Sequence, residues 1–597
     1  MKVVSKRALF LLILLAYGCA PSTPGQSVIT ASLDHPDRAR HEAFSPDYMI
    51  VSQGEATSLA AREMFERGGN IFDAAAAASF AIAVERPQST GLGGGGFMLI
   101  RRAETGEIIA VDFREKAPLA ATERMFQDGK GEVVPDLSTQ GILASGVPGM
   151  VAGVVEVHRR YGSLPLREVL APAIRLAREG FKVYPHLAEA MAAYAPTLRR
   201  FPASKALYLK ADGSPYREGE ILRQPELART LEAIAEQGRA GFYQGWVAEA
   251  LVRQHRALHG LLTQQDLDAY EVKFRQPVRG RFQDYEVYSM PPPSSGGAHV
   301  IEMLNMLEGQ DLQERGPYAW ESIHRAAGAM QQAFADRARY LGDADFMKVP
   351  VSGLISKGYA EQRMRELPAD RARPSTEVRA GDPARYESPE TTHFTLADRA
   401  GNVVASTQTI NGWFGSGVVV EGAGFVLNNE MDDFSAKPGV PNKFGVVGGA
   451  ENAIAPGKRP LSSMSPTLVL REGEPVLALG SPAGSRIISC VMLTALDYLE
   501  YELPLYDAVA ALRYHHQWLP DELEVEPPGF PAATTQRLQS MGYRVAQRGI
   551  GCKVQAVAFE EGRLHGVSDP RGEGLAVGKA APPPAGGKPG RMPVHRD

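Results

Sequence analysis

The chain has 597 residues, with 64 Lys or Arg against 69 Asp or Glu, so its formal charge is −5. This balance excludes a general nucleic-acid binder, because such proteins need a dense basic surface to displace counterions from phosphates. With 44% hydrophobic and 22% charged residues the chain is globular, which excludes disorder as its main state. Three cysteines are too few for a disulfide scaffold and no metal-ligand spacing occurs, so we expect no metal site and no cofactor.

The two ends of the chain predict segments outside the folded core. Residues 1–20 combine a basic start, an apolar run and small residues at 18–20, which indicates an export signal too short to span a bilayer. Cleavage after residue 20 would give a soluble bacterial periplasmic protein. Gly18-Cys19 also resembles a lipoprotein site, where lipid on Cys19 would anchor the protein to the outer membrane. No later stretch predicts a transmembrane helix, and residues 578–597, rich in Pro, Gly and Lys, predict a disordered tail.

From residue 48 the pattern is mixed helix and strand. The helix predicted at 71–84 carries Asp73 as its only charge, which is typical of a helix buried inside a large protein. The run Gly93–Gly96 is not followed by a Lys-Ser/Thr pair or by a helix, so a tight turn is favoured over a phosphate-binding loop. The other elements predicted in this half are a strand at 49–51, a helix at 55–68, strands at 97–100 and 108–113, and a long helical region at 147–347 interrupted by the Pro-Pro-Pro-Ser-Ser-Gly-Gly run at 291–297.

The second half begins with an irregular segment. Prolines, glycines and charges at 367–390 predict an exposed stretch, and two strands follow at 391–398 and 402–411. His515 and His516 are adjacent on one strand, point to opposite faces and bring no third ligand, so a structural role is predicted. No Gly-x-Ser-x-Gly elbow supports an α/β serine hydrolase. The remaining predicted elements are strands at 424–427, 467–470 and 476–479 and a helix at 485–499.

Thr391 is the candidate nucleophile that the residues themselves suggest. A threonine hydroxyl needs a base to remove its proton. If the Glu390–Thr391 bond were cut, the new α-amino group, with a reference pKa of about 7.7 to 8.0, would supply that base within the same residue. The alternative is that a threonine at the start of a strand reflects β propensity alone.

The sequence resembles the gamma-glutamyltranspeptidases, which belong to the N-terminal-nucleophile hydrolase superfamily, from about residue 48 to 577. The segments that carry the resemblance include the glycine run, Asp-Phe-Arg-Glu, Thr-Thr-His-Phe, Asn-Asn-Glu-Met-Asp-Asp-Phe and Arg-Pro-Leu-Ser-Ser-Met-Ser-Pro; in order they are 87–98, 112–115, 291–297, 391–394, 428–434, 459–466 and 515–520. The resemblance implies an α+β fold, a four-layer αββα sandwich. It also implies self-cleavage between Glu390 and Thr391 into a large subunit, 21–390, and a small subunit whose catalytic region is 391–577.

The resemblance also assigns roles to residues of a site. Thr391 would attack the substrate, and Thr409 would hold and polarise the Thr391 hydroxyl. The backbone N–H groups of Ala483 and Gly484 would bind the oxyanion. Ala483 stands where glycine is usual in the family, so this donor is expected to survive only if the local φ is negative. Phe444 lies in a segment, 438–449, that matches the family's lid.

The substrate residues implied by the resemblance recognise a γ-glutamyl group. Arg114 would grip its α-carboxylate, for which a planar guanidinium is better suited than a lysine. The hydroxyl groups of Ser462 and Ser463 would donate to the same carboxylate. The α-ammonium would be bound by Asn411, Glu430 and Asp433.

The function implied is an exported enzyme that transfers the γ-glutamyl group of glutathione and related compounds to water, amino acids or peptides. The preference between these acceptors stays open. A cephalosporin or glutaryl acylase is the alternative within the superfamily, and it would not need the ammonium-binding Asn411 and Asp433. An uncleaved binding lipoprotein is the alternative from another class. Cys490 is expected to fill core space, and whether it pairs with Cys552 stays open.

Overall fold

The structure is a computed structural model that describes residues 37–383, 394–560 and 562–579. The predicted export signal, Glu390, Thr391 and the tail beyond residue 579 lie outside the described residues. In the part of the chain that the structure describes, no helix is long and apolar enough to cross a membrane.

Helices make up most of the outer layers. They are α1 (Arg38–His41), α2 (Glu55–Glu66), α3 (Ile71–Glu85), α4 (Met150–Tyr161), α5 (Leu166–Glu179), α6 (Pro185–Leu198), α7 (Pro202–Tyr208), α8 (Pro225–Gln237), α9 (Ala240–Tyr243), α10 (Gly245–Ala257), α11 (Gln264–Asp268), α12 (Gly296–Leu307), α13 (Leu312–Arg315), α14 (Trp320–Tyr340), α15 (Val351–Leu354), α16 (Lys357–Arg365), α17 (Arg486–Leu499), α18 (Leu505–Ala510) and α19 (Ala532–Ser540). Short 3₁₀ helices cover Ile142–Ala144, Glu430–Asp433 and Ala450–Asn452.

Strands form the interior. They are β1 (Glu42–Ser45), β2 (Tyr48–Ser52), β3 (Gly95–Arg101), β4 (Ile108–Asp112), β5 (Phe181–Lys182), β6 (Ile221–Leu222), β7 (Lys273–Arg275), β8 (Val278–Phe282), β9 (Tyr285–Ser289), β10 (Phe394–Asp398), β11 (Val403–Thr409), β12 (Thr467–Arg471), β13 (Glu474–Gly480), β14 (Tyr514–His515), β15 (Leu523–Val525), β16 (Val545–Gln547), β17 (Gln555–Glu560), β18 (Arg563–Ser568) and β19 (Leu575–Gly578).

Two seven-stranded antiparallel sheets pack face to face. The first has the order β19-β2-β10-β11-β3-β4-β7 and the second β1-β18-β17-β13-β12-β9-β8. Apolar side chains of β2, β10 and β19 in the first sheet meet those of β17 and β18 in the second. Helices α2, α3, α4, α5 and α8 cover the outer face of the first sheet, and α12, α14, α17 and α18 cover that of the second. The fold is therefore the predicted α+β, four-layer αββα sandwich.

Helix α3 confirms the prediction of a buried helix, since every one of its residues is buried. It begins with a capping box, in which the Asn70 side chain accepts from the Asp73 backbone and the Asp73 side chain accepts from the Asn70 backbone. Asp73 also accepts a hydrogen bond from the Ser163 hydroxyl at 2.6 Å, which ties the only charge of the predicted helix to the chain that follows α4. These hydrogen bonds explain how that charge is accommodated in an apolar layer.

Three predictions of elements were wrong in part. The last two glycines of the run Gly93–Gly96 belong to β3, where they leave room for neighbours: a Cβ on Gly95 would lie 2.6 Å from the Glu115 carboxylate. The strand predicted at 424–427 is reduced to isolated bridges, Gly93 with Leu427 and Val419 with Val426. The region 147–347 is not helical throughout, because β7, β8 and β9 extend the edges of both sheets.

Candidate active site

The predicted site residues that the structure describes all line one cavity of about 600 Å³. They come from loops and strand ends on both sheets. These residues are Arg114, Thr409, Asn411, Glu430, Asp433, Phe444, Ser462, Ser463, Ala483 and Gly484. Residues that are separated by up to 370 positions in the sequence therefore share a single site.

The strand that follows the predicted nucleophile in the sequence is central in the first sheet. Strand β10 pairs with β2 on one side and with β11 on the other. Its first residue, Phe394, lines the cavity and lies three positions after Thr391. Thr391 and Glu390 are outside the described residues, so the roles given to them stay predictions.

Thr409 ends β11 at the wall of this cavity. Its hydroxyl accepts a hydrogen bond from the backbone N–H of Asn411 at 2.7 Å. Asn411 has a φ of +71°, a left-handed conformation that asparagine tolerates better than most residues, and its Nδ2 donates to the backbone oxygen of Asn429 at 2.9 Å. The turn therefore holds the Thr409 hydroxyl and the Asn411 side chain at fixed positions on one wall.

Arg114 is the centre of a buried charge cluster, which we call the acid cluster and define as Arg114, Glu115, Glu430 and Asp433. Its Nη1 lies 2.7 Å from Glu430 Oε2 and its Nη2 lies 2.6 Å from Asp433 Oδ2. Its Nε donates to the backbone oxygen of Pro460 at 3.2 Å. Because a guanidinium has five N–H donors, about two remain for a bound carboxylate.

The acid cluster has more negative than positive groups. Both carboxyl oxygens of Glu115 are buried without a hydrogen-bond partner among the described residues, and its nearest contact with Arg114 Nη1 is 3.7 Å. Burial raises the pKa of Glu115, and it raises that of Glu430 although Arg114 opposes the shift. Protonation of these buried carboxyls lowers the negative charge of the acid cluster, and Lys443, which lines the same cavity, interacts with Asp433 and Glu430. The cluster therefore offers one guanidinium and several carboxyl oxygens side by side, the contacts that an α-carboxylate and an α-ammonium need.

Ser462 and Ser463 line the same cavity, in the chain between Arg459 and β12, where Ser462 forms a bridge with Ser294 of the Pro-rich segment 291–295. The backbone N–H of Ser462 donates to the Pro293 oxygen at 2.9 Å, which fixes the pair. Ser463 Oγ accepts from Arg337 Nη2 at 3.1 Å, and Arg337 Nε donates to Ser295 Oγ at 2.8 Å. Arg337, on α14, also lines the cavity and was missed by the sequence analysis, since nothing in the helical pattern distinguishes it from other arginines.

The predicted oxyanion donors lie between β13 and α17. Gly484 has a φ of +55° and Ala483 a φ of +132°, so the negative φ that was set as the condition for an unstrained donor at Ala483 is not met. No described residue accepts a hydrogen bond from the backbone N–H of either. Both residues line the cavity just before α17, so N–H groups that have no acceptor among the described residues suit an anion there, because the positive end of the helix dipole favours negative charge. The positive φ is a local strain that the surroundings of Ala483 must sustain.

The surroundings of Ala483 include a disulfide. Cys490, on α17, is bonded to Cys552 at an S–S distance of 2.05 Å, which answers the pairing question that the sequence left open. Ile550 and both cysteines form a small buried cluster against which Ala483 packs. Gly551 and Ile550 line the cavity, and the backbone N–H of Lys553 donates to Ser481 Oγ at 3.1 Å. The loop 550–553 and the oxyanion loop 481–485 are thus connected by a hydrogen bond, from Lys553 to Ser481, and by the packing of Ala483 on the disulfide cluster.

The segment 438–449, matched to a lid, lies over the site. A Cβ on Gly484 would lie 2.8 Å from the ring of Phe444, so this ring packs directly on the oxyanion loop. Gln517 Nε2 donates to the Phe444 backbone oxygen at 3.2 Å, and Lys443 N donates to Asp432 Oδ2 at 3.1 Å. Phe444 has no hydroxyl, so the segment is held through its backbone and by ring packing.

Comparison with known proteins agrees with this geometry. The sequence profile described as gamma-glutamyltranspeptidase matches residues 57–579. The chain belongs to the gamma-glutamyltranspeptidase family. It is 44% identical over 558 residues to the glutathione hydrolase proenzyme of Escherichia coli strain K12, covering 93% of this chain and 95% of that protein.

Members and neighbours of the gamma-glutamyltranspeptidase family also include acylases. The chain is 37% identical over 537 residues to the acylase ACY 1 proenzyme of Pseudomonas sp. strain SE83, covering 89% of this chain and 93% of that protein. The crystal structure of a cephalosporin acylase from Bacillus halodurans aligns with a TM-score of 0.81 at 27% identity, covering 94% of this chain and 99% of that one. The similarities therefore establish the fold, but they include both glutathione hydrolases and acylases. The choice between γ-glutamyl and acylase substrates has to be argued from the acid cluster.

Proposed function

We propose that this protein is a self-processing γ-glutamyltransferase and glutathione hydrolase that acts through an ester on Thr391. The observation that carries the proposal is the acid cluster in the same cavity as the unpaired N–H groups of Ala483 and Gly484. The first recognises an amino acid end and the second recognises a developing oxyanion. The glutathione hydrolase relative supports this reading.

The reaction begins with the hydroxyl of Thr391 attacking the γ-carbonyl carbon of the donor. The free α-amino group of Thr391 takes the hydroxyl proton and then gives it to the departing amine. The N–H groups of Ala483 and Gly484 bind the oxyanion of the tetrahedral intermediate. Water or the amine of an acceptor then attacks the ester carbonyl while the α-amino group removes its proton. The ester C–O bond breaks, the proton passes to Thr391 Oγ, and glutamate or a new γ-glutamyl amide is released.

The acid cluster selects the γ-glutamyl end. The two remaining N–H donors of Arg114, together with Ser462 and Ser463, bind the α-carboxylate. Glu430 and Asp433, each paired with Arg114, bind the α-ammonium through their remaining acceptor capacity, together with the Asn411 side chain. A glutaryl or cephalosporin side chain has no ammonium group to donate to these acceptors, so the cluster favours the transferase over an acylase.

Processing would divide the chain into 21–390 and 391–597, where the second part is 207 of the 597 residues and about 22 of the 64.5 kDa. The export signal predicted at 1–20 supports a periplasmic location, free or anchored through a lipid on Cys19. The Cys490–Cys552 disulfide supports export, because disulfides persist in oxidising compartments.

The decisive experiment replaces the nucleophile and follows both processing and turnover. Thr391→Ala should run as one band near the full mass and should not hydrolyse a γ-glutamyl anilide, whereas Thr391→Ser keeps a hydroxyl and should retain both processes at a reduced rate. Turnover by Thr391→Ala would disprove the mechanism. Faster hydrolysis of a glutaryl anilide than of the γ-glutamyl anilide by the wild type would show an acylase instead.

A further inference from the structure

A second charged region lines the same cavity, outside the acid cluster. It consists of Arg86, His186 and Lys553, which we call the basic region, and Trp413 lies beside it. Arg86 follows α3, His186 lies on α6, and Lys553 lies on the loop 550–553 that is bonded to the oxyanion loop. The family roles described above use none of these side chains.

Neither cation of the basic region is fully satisfied by the protein. The side chain of Arg86 is 3% exposed, and its Nε has no hydrogen-bond partner among the described residues. Its nearest carboxylate is Glu573, at 3.6 Å from Nη1. Lys553 Nζ has no carboxylate within 4.0 Å in the described part of the chain. Arg86 Nη1 also donates to the backbone oxygen of Gln53 at 2.9 Å, but that acceptor carries no charge. A buried cation without a hydrogen-bonded carboxylate is costly, so the region is stabilised when an anion binds.

The local electrostatic field is also positive. Arg86 and Lys553 together outnumber Glu573. Two further carboxylates influence Lys553: Asp569, which is already paired with Arg513 and Arg571, and Glu189, which is largely exposed and therefore screened. Burial lowers the pKa of His186 to about 4, and the neighbouring charges of Lys553 and Arg86 contribute to this shift. A neutral histidine leaves two cations facing one carboxylate, which is an excess of one positive charge.

The position of Lys553 indicates which part of a substrate would meet this region. Its backbone N–H binds Ser481 Oγ, and a Cβ on the neighbouring Gly551 would lie 4.0 Å from that of Ala483. The basic region is therefore next to the oxyanion loop, where the carbonyl under attack is bound. With the γ-glutamyl end held by the acid cluster, the group on the other side of that carbonyl is the leaving amine, or later the incoming acceptor.

We propose that Arg86 and Lys553 form an anion subsite that binds a carboxylate on the amine side of the scissile amide. This inference rests on the proposed function and narrows its substrates to γ-glutamyl compounds, or acceptors, whose amine part carries a carboxylate. A γ-glutamyl peptide and an amino acid or peptide acceptor have the same carboxylate chemistry at this point. Trp413 offers an apolar surface to the side chain between the amine and that carboxylate.

The test compares two donors that differ only in a carboxylate on the leaving group, γ-glutamyl-4-nitroanilide and γ-glutamyl-3-carboxy-4-nitroanilide, without acceptor. Lys553→Met should lower kcat/KM for the carboxylated donor by about tenfold, mainly through KM, because a charged hydrogen bond of that size is lost. The plain anilide should change by less than about twofold. Arg86→Gln should act in the same direction, and Lys553→Arg should restore the preference.

Controls separate this proposal from folding and from the proposed function. Lys205→Met, on the exposed face of α7, should change neither donor. Self-cleavage of each variant on a gel shows that it has folded. An equal loss of kcat/KM on both donors would overturn the subsite. So would an unchanged kcat/KM for the carboxylated donor together with an unchanged KM for the acceptor in the experiment below. A wild type that does not turn over the plain anilide would instead overturn the γ-glutamyl assignment.

The acceptor arm distinguishes the two sources of the carboxylate. With the plain anilide as donor, transfer to glycylglycine is compared with transfer to glycylglycinamide. If Lys553→Met raises KM for glycylglycine alone, the subsite binds acceptors. If it changes the carboxylated donor alone, the subsite binds the leaving group, and if both change it serves each in turn.

Discussion

Ala483 is held in a conformation that its side chain disfavours. Its φ of +132° lies in a region that glycine adopts freely and that costs a residue with a Cβ about 1 to 3 kcal/mol. The methyl group gains contacts with Ile550 and the disulfide in return. The strain lies in the loop that carries the predicted oxyanion donors. It lowers the stability of the fold at the place where donor geometry affects the reaction rate.

Replacing Ala483 by glycine should therefore stabilise the protein. Ala483→Gly relieves the strain and loses a smaller amount to the extra freedom of the unfolded chain, so we expect the free energy of unfolding to rise by about 1 kcal/mol. Ala400→Gly, in the exposed turn between β10 and β11 at a residue without a positive φ, should have the opposite sign. Denaturant unfolding measures both changes. A loss of stability in Ala483→Gly as large as in Ala400→Gly would show that Ala483 is unstrained.

The ten site residues that could be predicted and are described here share one property. All ten were assigned by the resemblance. Five of them lie in the short runs that carry it, such as Asn-Asn-Glu-Met-Asp-Asp and Ser-Ser-Met-Ser; these are Arg114, Glu430, Asp433, Ser462 and Ser463. Arg337 and Arg86 could not be predicted, because an arginine on or beside a helix has no local pattern that shows whether it faces solvent or a cavity. Only the packing of α14 and α3 places them at the site.

At the scale of elements, α17 connects the oxyanion loop to the core of the second sheet. Its first turn follows Gly484, its fifth residue is Cys490, and Asp497 is buried towards its end. The disulfide fixes this helix to the loop 550–553, which lines the cavity. A displacement of α17 would therefore move the N–H donors, whereas the acid cluster is carried by other elements.

Removing the disulfide should affect kcat more than KM. In the double variant Cys490→Ala and Cys552→Ala we expect a loss of about 2 to 4 kcal/mol of stability, since the bond closes a long loop. We expect kcat to fall by about tenfold, a part of what the loss of an oxyanion donor costs, with KM for the γ-glutamyl anilide unchanged. Wild type that is reduced under native conditions should behave in the same way. Unchanged kcat in both samples would show that loop packing alone positions the donors.

Asp497 should make stability depend on pH. Burial raises its pKa to about 8 in the folded protein, against about 3.9 in an unfolded chain. Between these values the folded state holds a proton that the unfolded state lacks, so the contribution of Asp497 to stability falls as pH rises from about 4 to about 8 and is constant above that. Asp497→Asn removes this loss. Its Tm should exceed that of the wild type by a margin that grows from pH 5 to pH 8, and a margin independent of pH would show that Asp497 is ionised in the fold.

Elements whose pattern reflects burial could be predicted from sequence, and elements defined by a close approach could not. Helix α3 and strands β3, β10 and β11 were placed to within a few residues, because their apolar runs match the layers that bury them. The strand character of Gly95 and Gly96 depends on the Glu115 carboxylate and the backbone of β11 being too near for a side chain, which is a tertiary fact. The strands β7, β8 and β9, at or next to the sheet edges, could not be predicted either, because their mixture of polar and apolar residues gives only a weak strand pattern.

At the scale of the whole molecule, the predicted cut at Glu390–Thr391 divides both sheets. In the first sheet β10 and β11 lie between β2 and β3, so strands from the two sides of the cut alternate at its centre. In the second sheet β1 pairs with β18 at one edge, and β9 pairs with β12. The interface between the two parts is therefore the core of the protein, including the hydrogen bonds of several strand pairs.

The two fragments should stay together after cleavage and separate only on unfolding. On size exclusion under native conditions we expect a single species of the mass of the whole mature chain, which denaturing gels resolve into bands near 40 and 22 kDa. In increasing denaturant, dissociation followed by size and loss of structure followed by circular dichroism should have the same midpoint, because neither fragment has a complete sheet. Separation of folded fragments well below the unfolding midpoint would contradict this, since it would require a subunit boundary that does not run through the sheets.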